Sequence, residues 1–145
     1  MKHQYLQNLN EFFIQDQNSI LSNIYFFENI INKNQFWKNK VKIGYSKNIE
    51  KRIKQLSIGN PYPIKLWYSF EIEEKRASYI ENQLHKKFKY SRKQGEWFYI
   101  NKQLRIFISI HKLFSMYKDK NNSDINREEA LKQIKYILEK GRLKL

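Results

Sequence analysis

The sequence contains no cysteine, and it has only two prolines and four glycines among its 145 residues. The absence of cysteine excludes a disulfide framework, a cysteine-ligated zinc site and a cysteine nucleophile. The scarcity of glycine and proline excludes collagen-like and linker-like chains. No apolar run reaches the length of about 18 residues that a membrane span needs, and the polar N-terminus lacks the apolar segment of a secretory signal. We therefore expect a soluble cytoplasmic or nuclear protein that does not enter a membrane.

The chain is nevertheless rich in material for a packed core. Hydrophobic residues make up 41% and aromatic residues 16% of the sequence. Disordered chains lack such residues, and the length is that of one ordinary domain. We expect a central domain over residues 23–100, with an N-terminal helical extension over 1–22 and a C-terminal helical extension over 101–145.

Positive charge predominates, with 28 basic and 14 acidic residues and a formal net charge of +14. An AT-rich coding sequence would by itself raise the lysine content. However, the excess is clustered in residues 38–54 and 85–105, where Glu50 and Glu96 are the only acids. Clustered cations favour a nucleic-acid partner, DNA being the expected one. A basic protein without a polyanionic partner, an acidic protein partner and an anionic membrane surface remain alternatives.

The apolar spacing predicts helices with a period near 3.6 residues and strands with alternation. Helices are expected over residues 3–21, 47–58, 74–90, 102–117 and from about 126 to 141. Strands are expected over residues 22–28, 40–46 and 64–72, with a further short strand or turn at 95–100. The polar segments 29–39 and 118–124 are expected as a loop and a linker.

No generic catalytic pattern is present, since the chain has neither a glycine-rich phosphate loop nor an HExxH motif, and its three histidines are dispersed. What remains are residue types suited to phosphodiesters: Tyr25, Gly44, Arg52 and Glu81. A single carboxylate can hold a Mg²⁺ ion that keeps most of its waters. An arginine fork can hold a phosphate, and a tyrosine hydroxyl can orient or deprotonate a water.

Residues 24–99 resemble the GIY-YIG nuclease superfamily, within it the branch typified by T5 Orf172-like and MUG113-like domains. Ile24-Tyr25-Phe26 stands at the GIY strand and Lys42-Ile43-Gly44 at the YIG strand. The other matching segments are the arginine helix at 48–52, LSIGNP at 56–61, IENQLHKKF with Glu81, and GEWF at 95–98.

The resemblance implies an α+β fold with a small, mostly antiparallel three-stranded sheet flanked by helices, to which the terminal helices are added. It also implies hydrolysis of DNA with a single Mg²⁺ (or Mn²⁺) ion on Glu81. Arg52 would bind the scissile phosphate, Tyr25 would position or deprotonate the water, and Gly44 would let the backbone approach the site. Further DNA contacts are expected from Lys42, Lys47, Lys51, Lys54, Lys86 and Lys87.

Two departures leave the proton-transfer apparatus incomplete. Lys42 replaces the tyrosine of YIG, and Leu56 stands where many relatives have a histidine. Tyr45 is a poor substitute because strand alternation places it on the other face from Lys42. His85, one helical turn after Glu81, and Glu96 are auxiliary candidates.

Each site residue also has an ordinary structural interpretation. Tyr25 can be a core aromatic, Arg52 part of a solvated face, Glu81 a salt-bridge partner and His85 a packing residue. Two other functions therefore stay open. One is a non-catalytic DNA-binding module on the same fold. The other is a structural or adaptor protein whose C-terminal helices form a homo-oligomer or bind a protein partner.

Overall fold

The computed structural model describes residues 9–119 and 127–140. The chain divides into two compact units, residues 1–100 and residues 101–145. The candidate site residues named above all lie in the first unit.

The first unit is built on one sheet whose strands pair antiparallel throughout. The strands are β1 (Leu21–Asn29), β2 (Lys40–Ser46), β3 (Ile64–Glu73), β4 (Arg92–Gln94) and β5 (Trp97–Tyr99). Their order in the sheet is β3-β1-β2-β5-β4. The long hairpin of β1 and β2 therefore lies at the centre, with Tyr25 opposite Gly44.

The expected three-stranded sheet is wrong, because the sheet has five strands. Strands β1, β2 and β3 lie where the sequence predicts strands, and β5 and β4 extend the sheet beyond β2. Both added strands have three residues, too few to show a period of two. The β4 segment is also polar and fully exposed, as edge strands often are. Gly95, with φ +58°, makes the tight turn that joins them.

The sheet carries a helix on each face. Helix α1 (Ile49–Ser57) begins at Asn48, whose side chain accepts a hydrogen bond from the backbone N–H of Lys51 at 3.0 Å. Its apolar residues Ile49, Ile53 and Leu56 pack against Tyr25, Phe27 and Ile64. The burial of these aromatic rings thus holds α1 beside the centre of β1.

Helix α2 (Glu74–Lys87) packs against β1 and β2. Its residues Ala77, Ile80 and Leu84 are fully buried. On the strands, the alternate residues Ile24 and Phe26 are also fully buried and point away from the α1 face. The apolar stripe predicted for this helix is therefore the stripe that covers the sheet.

The expected helix over residues 3–21 is wrong in its second half. Residues 9–12 form a short helical turn, residues 13–20 are not helical, and β1 begins at Leu21. Residues 3–8 lie outside the part of the chain that the structure describes.

A buried ion pair explains this departure. Glu73 is 1% exposed, and its carboxylate accepts the backbone N–H groups of Gln15 and Asp16 at 3.1 Å. Arg76 lies 2.9 Å from the same carboxylate and donates to the carbonyl of Phe13. These side chains satisfy backbone groups that a helix would have paired internally, so tertiary contacts override the local helical pattern.

The second unit consists of α3 (Lys102–Asp119) and α4 (Arg127–Lys140), which pack against each other. Leu104, Phe107, Ile134 and Ile137 are among its buried residues. The first two residues of the predicted linker 118–124 belong to α3, and the rest lie outside the described residues. Of the helices described, none has the length and apolar content needed to cross a bilayer.

Candidate active site

Tyr25 and Gly44 form the floor of the candidate site. The tyrosine is 1% exposed and stacks on Phe27 with ring centroids 3.8 Å apart. A Cβ atom at position 44 would lie 2.6 Å from Cζ of Tyr25 and 3.0 Å from its Cε1. Only glycine leaves room for the phenol ring to lie across β2. Strand β5 pairs with β2 only up to Lys42, so at Gly44 the edge of β2 that faces away from β1 has no strand paired to it among the described residues.

Arg52 brings the positive charge to this floor. It lies on α1, half-buried, and its Nε donates a long hydrogen bond of 3.4 Å to the Tyr25 hydroxyl. Its Nη1 lies 3.5 Å from the side-chain oxygen of Gln55. A guanidinium carries five donors, so these two contacts leave donors for a phosphate.

Glu81 on α2 is the carboxylate of the site. Burial raises its pKa to about 7, and the negative charge of Glu96 contributes in the same direction. The charges of Lys42 and Arg52 act in the opposite direction. Within residues 9–119 and 127–140 the Glu81 carboxylate has no hydrogen bond or ion pair. The Glu81 carboxyl therefore titrates near neutral pH, and a bound cation would favour its deprotonated form.

The pKa of Tyr25 depends on the charged groups around it. Burial raises the pKa of Tyr25, the hydrogen bond and charge of Arg52 lower it, and the charges of Glu96 and Glu81 raise it. The structure thus brings Tyr25, Arg52, Glu81 and Glu96 within electrostatic reach of one another. With a raised pKa, Tyr25 is a neutral phenol at physiological pH, which suits it to orient a water.

Lys42, one of the expected DNA contacts, is held in an ion pair. Its ammonium lies 2.8 Å from the Glu96 carboxylate and 5.6 Å from the centre of the Trp97 ring. Only 11% of the Lys42 side chain is exposed, whereas 38% of the Glu96 side chain is exposed. The lysine is therefore a buried cation with a fixed acidic partner. The ion pair with Lys42 holds Glu96 beside the site.

The other two auxiliary candidates lie elsewhere. Tyr45 pairs with Ile24 on the opposite face of the sheet from Lys42 and is 43% exposed. His85 is buried, and its Nε2 donates to the carbonyl of Ile43 at 2.9 Å. Since a carbonyl only accepts, Nε2 carries the hydrogen. The packing interpretation accounts for every contact that the structure gives His85.

The remaining candidate DNA contacts are exposed lysines on the two helices and just before α1: Lys47, Lys51, Lys54, Lys86 and Lys87. Lys47 lies 2.9 Å from Glu74, both side chains being about half exposed. An exposed ion pair of this kind contributes little and is readily exchanged for a phosphate.

The residues fit a metal site that water and substrate complete. In the described part of the chain no three histidine, cysteine or acidic side chains cluster as a ready-made metal cage. Mg²⁺ needs only one or two carboxylates, with waters and phosphate oxygens as its other ligands. Glu81 has no protein partner there, while Glu96 is bound to Lys42. Glu81 is accordingly the residue that would hold the ion.

Sequence reasoning did not single out two further cations beside this site. Lys40 on β2 and Lys93 on β4 lie within hydrogen-bonding reach of each other. The pairing of β2 with β5 and of β5 with β4 brings them together. The only signal for them in the sequence is that Lys40 belongs to the basic cluster 38–54 and Lys93 to the basic cluster 85–105.

Comparison with known proteins matches one family to the chain. The T5orf172 domain matches residues 22–112, which is more than half of the sequence and includes every residue of the site described above. No curated protein and no solved structure gives a significant match.

Proposed function

The chain belongs to the T5orf172 domain family, a nuclease-like family, and on that premise we propose that it is a metal-dependent DNA endonuclease of the GIY-YIG type. The observation that carries the proposal is the convergence of Arg52, Tyr25 and Glu81 near Gly44, where β5 no longer pairs with β2. The three come from α1, β1 and α2, so the fold itself brings together a guanidinium group, a hydroxyl and a carboxylate without a protein partner among the described residues.

Arg52 has the role of binding the scissile phosphate. Its contact with the Tyr25 hydroxyl fixes the Nε side of the fork. The other donors can then meet two phosphate oxygens, which is the geometry that guanidinium groups favour. Charge developing on those oxygens during hydrolysis is stabilised by a donor that is already in place.

Glu81 would hold Mg²⁺ or Mn²⁺. A bound ion of this kind polarises phosphate oxygens and lowers the pKa of a bound water. Glu81 must be deprotonated to bind the ion. With a pKa of about 7, its deprotonation at neutral pH requires little free energy.

Tyr25 would position the attacking water. Its oxygen accepts from Arg52, so its own hydrogen points to another acceptor. A neutral phenol can donate that hydrogen to a water or phosphate oxygen, whereas a base role would first require the loss of a proton that burial retains.

The test is cleavage of supercoiled plasmid in Mg²⁺, in Mn²⁺ and in EDTA. Wild-type protein should nick the plasmid only with metal, and Glu81→Gln should bind DNA but not nick it. Glu71→Gln is the matched control, since Glu71 is an exposed carboxylate on β3. Metal-independent nicking, or nicking by Glu81→Gln at the wild-type rate, would refute the proposal.

A non-catalytic DNA-binding module on the same fold is the second candidate. The ion pair of Lys42 with Glu96 favours it, because this pair occupies the position of the tyrosine in the YIG motif. A module of this kind would bind DNA with strong salt dependence and would not nick plasmid under any metal condition.

A further inference from the structure

A groove of about 280 Å³ opens beside Trp97. This is close to the lower limit of small-molecule sites, roughly 300 Å³. It has room for one base-sized group. The residues that line it include Asn29, Lys40, Asn60, Tyr62, Lys93 and Trp97.

The groove lies on the same face of the sheet as the candidate active site. Asn29 follows Tyr25 and Phe27 on alternate positions of β1, and Asn29 pairs with Lys40 on β2. Tyr25 and Asn29 are four residues apart on one strand, a distance of about 13 Å. One DNA strand advances roughly 3.4 Å per phosphate along a duplex, so the groove lies within a few nucleotides of the scissile bond.

Two cations mark one wall of the groove. Lys93 is exposed and Lys40 half-exposed, and neither has an acidic partner in the described part of the chain. The hydrogen-bonding contact with Lys93 lowers the pKa of Lys40. An anion between the two ammonium groups would relieve their repulsion, and a phosphate has the charge and the oxygens for both.

A buried acceptor without a donor lies on the β1 wall. Asn29 is 9% exposed, and its Oδ1 receives no hydrogen bond from any residue that the structure describes. A buried polar atom of this kind is costly to the fold unless a ligand or water satisfies it. Every nucleobase offers at least one N–H group that could do so.

Aromatic rings supply surfaces for a base. Tyr62, in the turn after α1, is 44% exposed, and Trp97 is half-buried against the aromatic core around Tyr25. Bases unstacked from their neighbours bind on such rings without regard to sequence.

We propose that this groove binds one unstacked nucleotide of the DNA substrate. Its phosphate would lie on Lys40 and Lys93, its base against Tyr62 and Trp97, and an N–H of the base would donate to Asn29. The inference rests on DNA as the substrate of the proposed function, but it does not require that the protein cleave it.

Binding in EDTA, measured by fluorescence anisotropy, tests the groove without cleavage. The probes are a labelled duplex and the same duplex carrying one unpaired nucleotide, both at one stated salt concentration. Wild-type protein should prefer the unpaired probe roughly ten- to a hundredfold, the usual value of one base stacked on an aromatic side chain. A double variant with Tyr62→Ala and Lys93→Gln should lose that preference while keeping its affinity for the perfect duplex within a few-fold.

The chain offers a matched control in Tyr90 and Lys89, which lie outside the groove. Tyr90 is 91% exposed, with the Lys89 ammonium 5.0 Å from its ring centre. The double variant Tyr90→Ala and Lys89→Gln removes the same residue types and should keep the preference.

The outcomes separate the two proposals. The proposal that the groove binds a nucleotide would be overturned, even if plasmid is nicked, by either of two results. One is equal affinity of wild-type protein for both probes, and the other is a preference that the variant with Tyr62→Ala and Lys93→Gln retains. A preference lost only in the groove variant would support the groove even if no nicking is found. Absence of binding to either probe would refute both the groove and the proposed DNA substrate.

Discussion

The ring of Tyr25 occupies the space that a side chain at Gly44 would need: a Cβ there would lie 2.6 Å from Cζ of the tyrosine. The two residues face each other across β1 and β2. The ring of Tyr25 therefore explains why position 44 is a glycine. Because the tyrosine hydroxyl in turn contacts Arg52, this overlap links the sheet to the arginine that we propose binds phosphate.

The first prediction follows from that overlap. Gly44→Ala should displace the Tyr25 ring and lower the free energy of unfolding by about 1–3 kcal/mol, the usual cost of overpacking a core. Chemical denaturation would measure it. In a double-mutant cycle, Tyr25→Leu should relieve much of this cost, because the smaller side chain frees the space. Purely additive effects of the two changes would show that the clash is absent.

The second prediction concerns the pH dependence of stability. The folded pKa of Glu81, about 7, lies above its ordinary value of 4.5, so the folded protein binds the extra proton in that interval. The stabilisation that the protonated Glu81 gives to the folded protein is present below pH 4.5 and is lost as the pH rises through 7. The Glu81→Gln variant does not lose stability in this way, because glutamine does not titrate. The free energy of unfolding of the variant minus that of wild-type protein should therefore increase between about pH 5 and pH 8.

The same pair of proteins tests the metal ligand. At about pH 8, Mg²⁺ should raise the melting temperature of wild-type protein by mass action and should not raise that of Glu81→Gln. An equal metal effect on both would place the ion elsewhere. A stability difference that does not vary with pH would contradict the raised pKa of Glu81.

The third prediction distinguishes the two ends of the ion pair between Lys42 and Glu96. Glu96→Gln leaves a buried ammonium without its acidic partner and should cost about 1–3 kcal/mol, below the value for a fully buried pair because Glu96 is partly solvated. Lys42→Met should cost less, since Glu96 keeps its access to water. Thermal unfolding of both variants would measure the difference, and equal costs would contradict the unequal burial.

The fourth prediction concerns the geometry of Arg52. Both Arg52→Ala and Arg52→Lys should lower the rate of plasmid nicking about a hundredfold or more, because a lysine ammonium cannot present a planar fork. Lys33→Ala removes one charge from an exposed loop and should leave the rate within a few-fold of wild type. Restoration of the rate by Arg52→Lys would show that charge alone matters.

Much of the central sheet could be predicted from alternation. Strand β2 has the predicted bounds 40–46, and β1 extends the predicted strand by one residue at each end. Strand β5 lies within the predicted short strand or turn at 95–100, whereas β4 was not predicted, since a polar segment of three residues shows no period. The prediction of an N-terminal helix was wrong for a different reason. The residues Leu9, Phe12 and Phe13 have helical spacing and are buried. However, the side chains of Glu73 and Arg76 bind the backbone of that segment.

Some features of the candidate site could be predicted from the sequence and others could not. Strand alternation and the motif order are enough to group Tyr25, Gly44 and Arg52 in one site. The partner of Lys42 could not be predicted, because Glu96 reaches it only through the pairing of β5 with β2. The raised pKa of Glu81 likewise depends on burial, which the sequence of one helix does not reveal.

The most direct test of the central claim is the position of a metal ion in crystals of the protein with a DNA oligonucleotide and Mn²⁺. Anomalous scattering locates the ion independently of activity. The account predicts a peak about 2 Å from a Glu81 carboxylate oxygen, with a phosphate oxygen in the same coordination shell and Arg52 on that phosphate. DNA bound with its backbone away from Arg52, or a metal peak that does not touch Glu81, would contradict it.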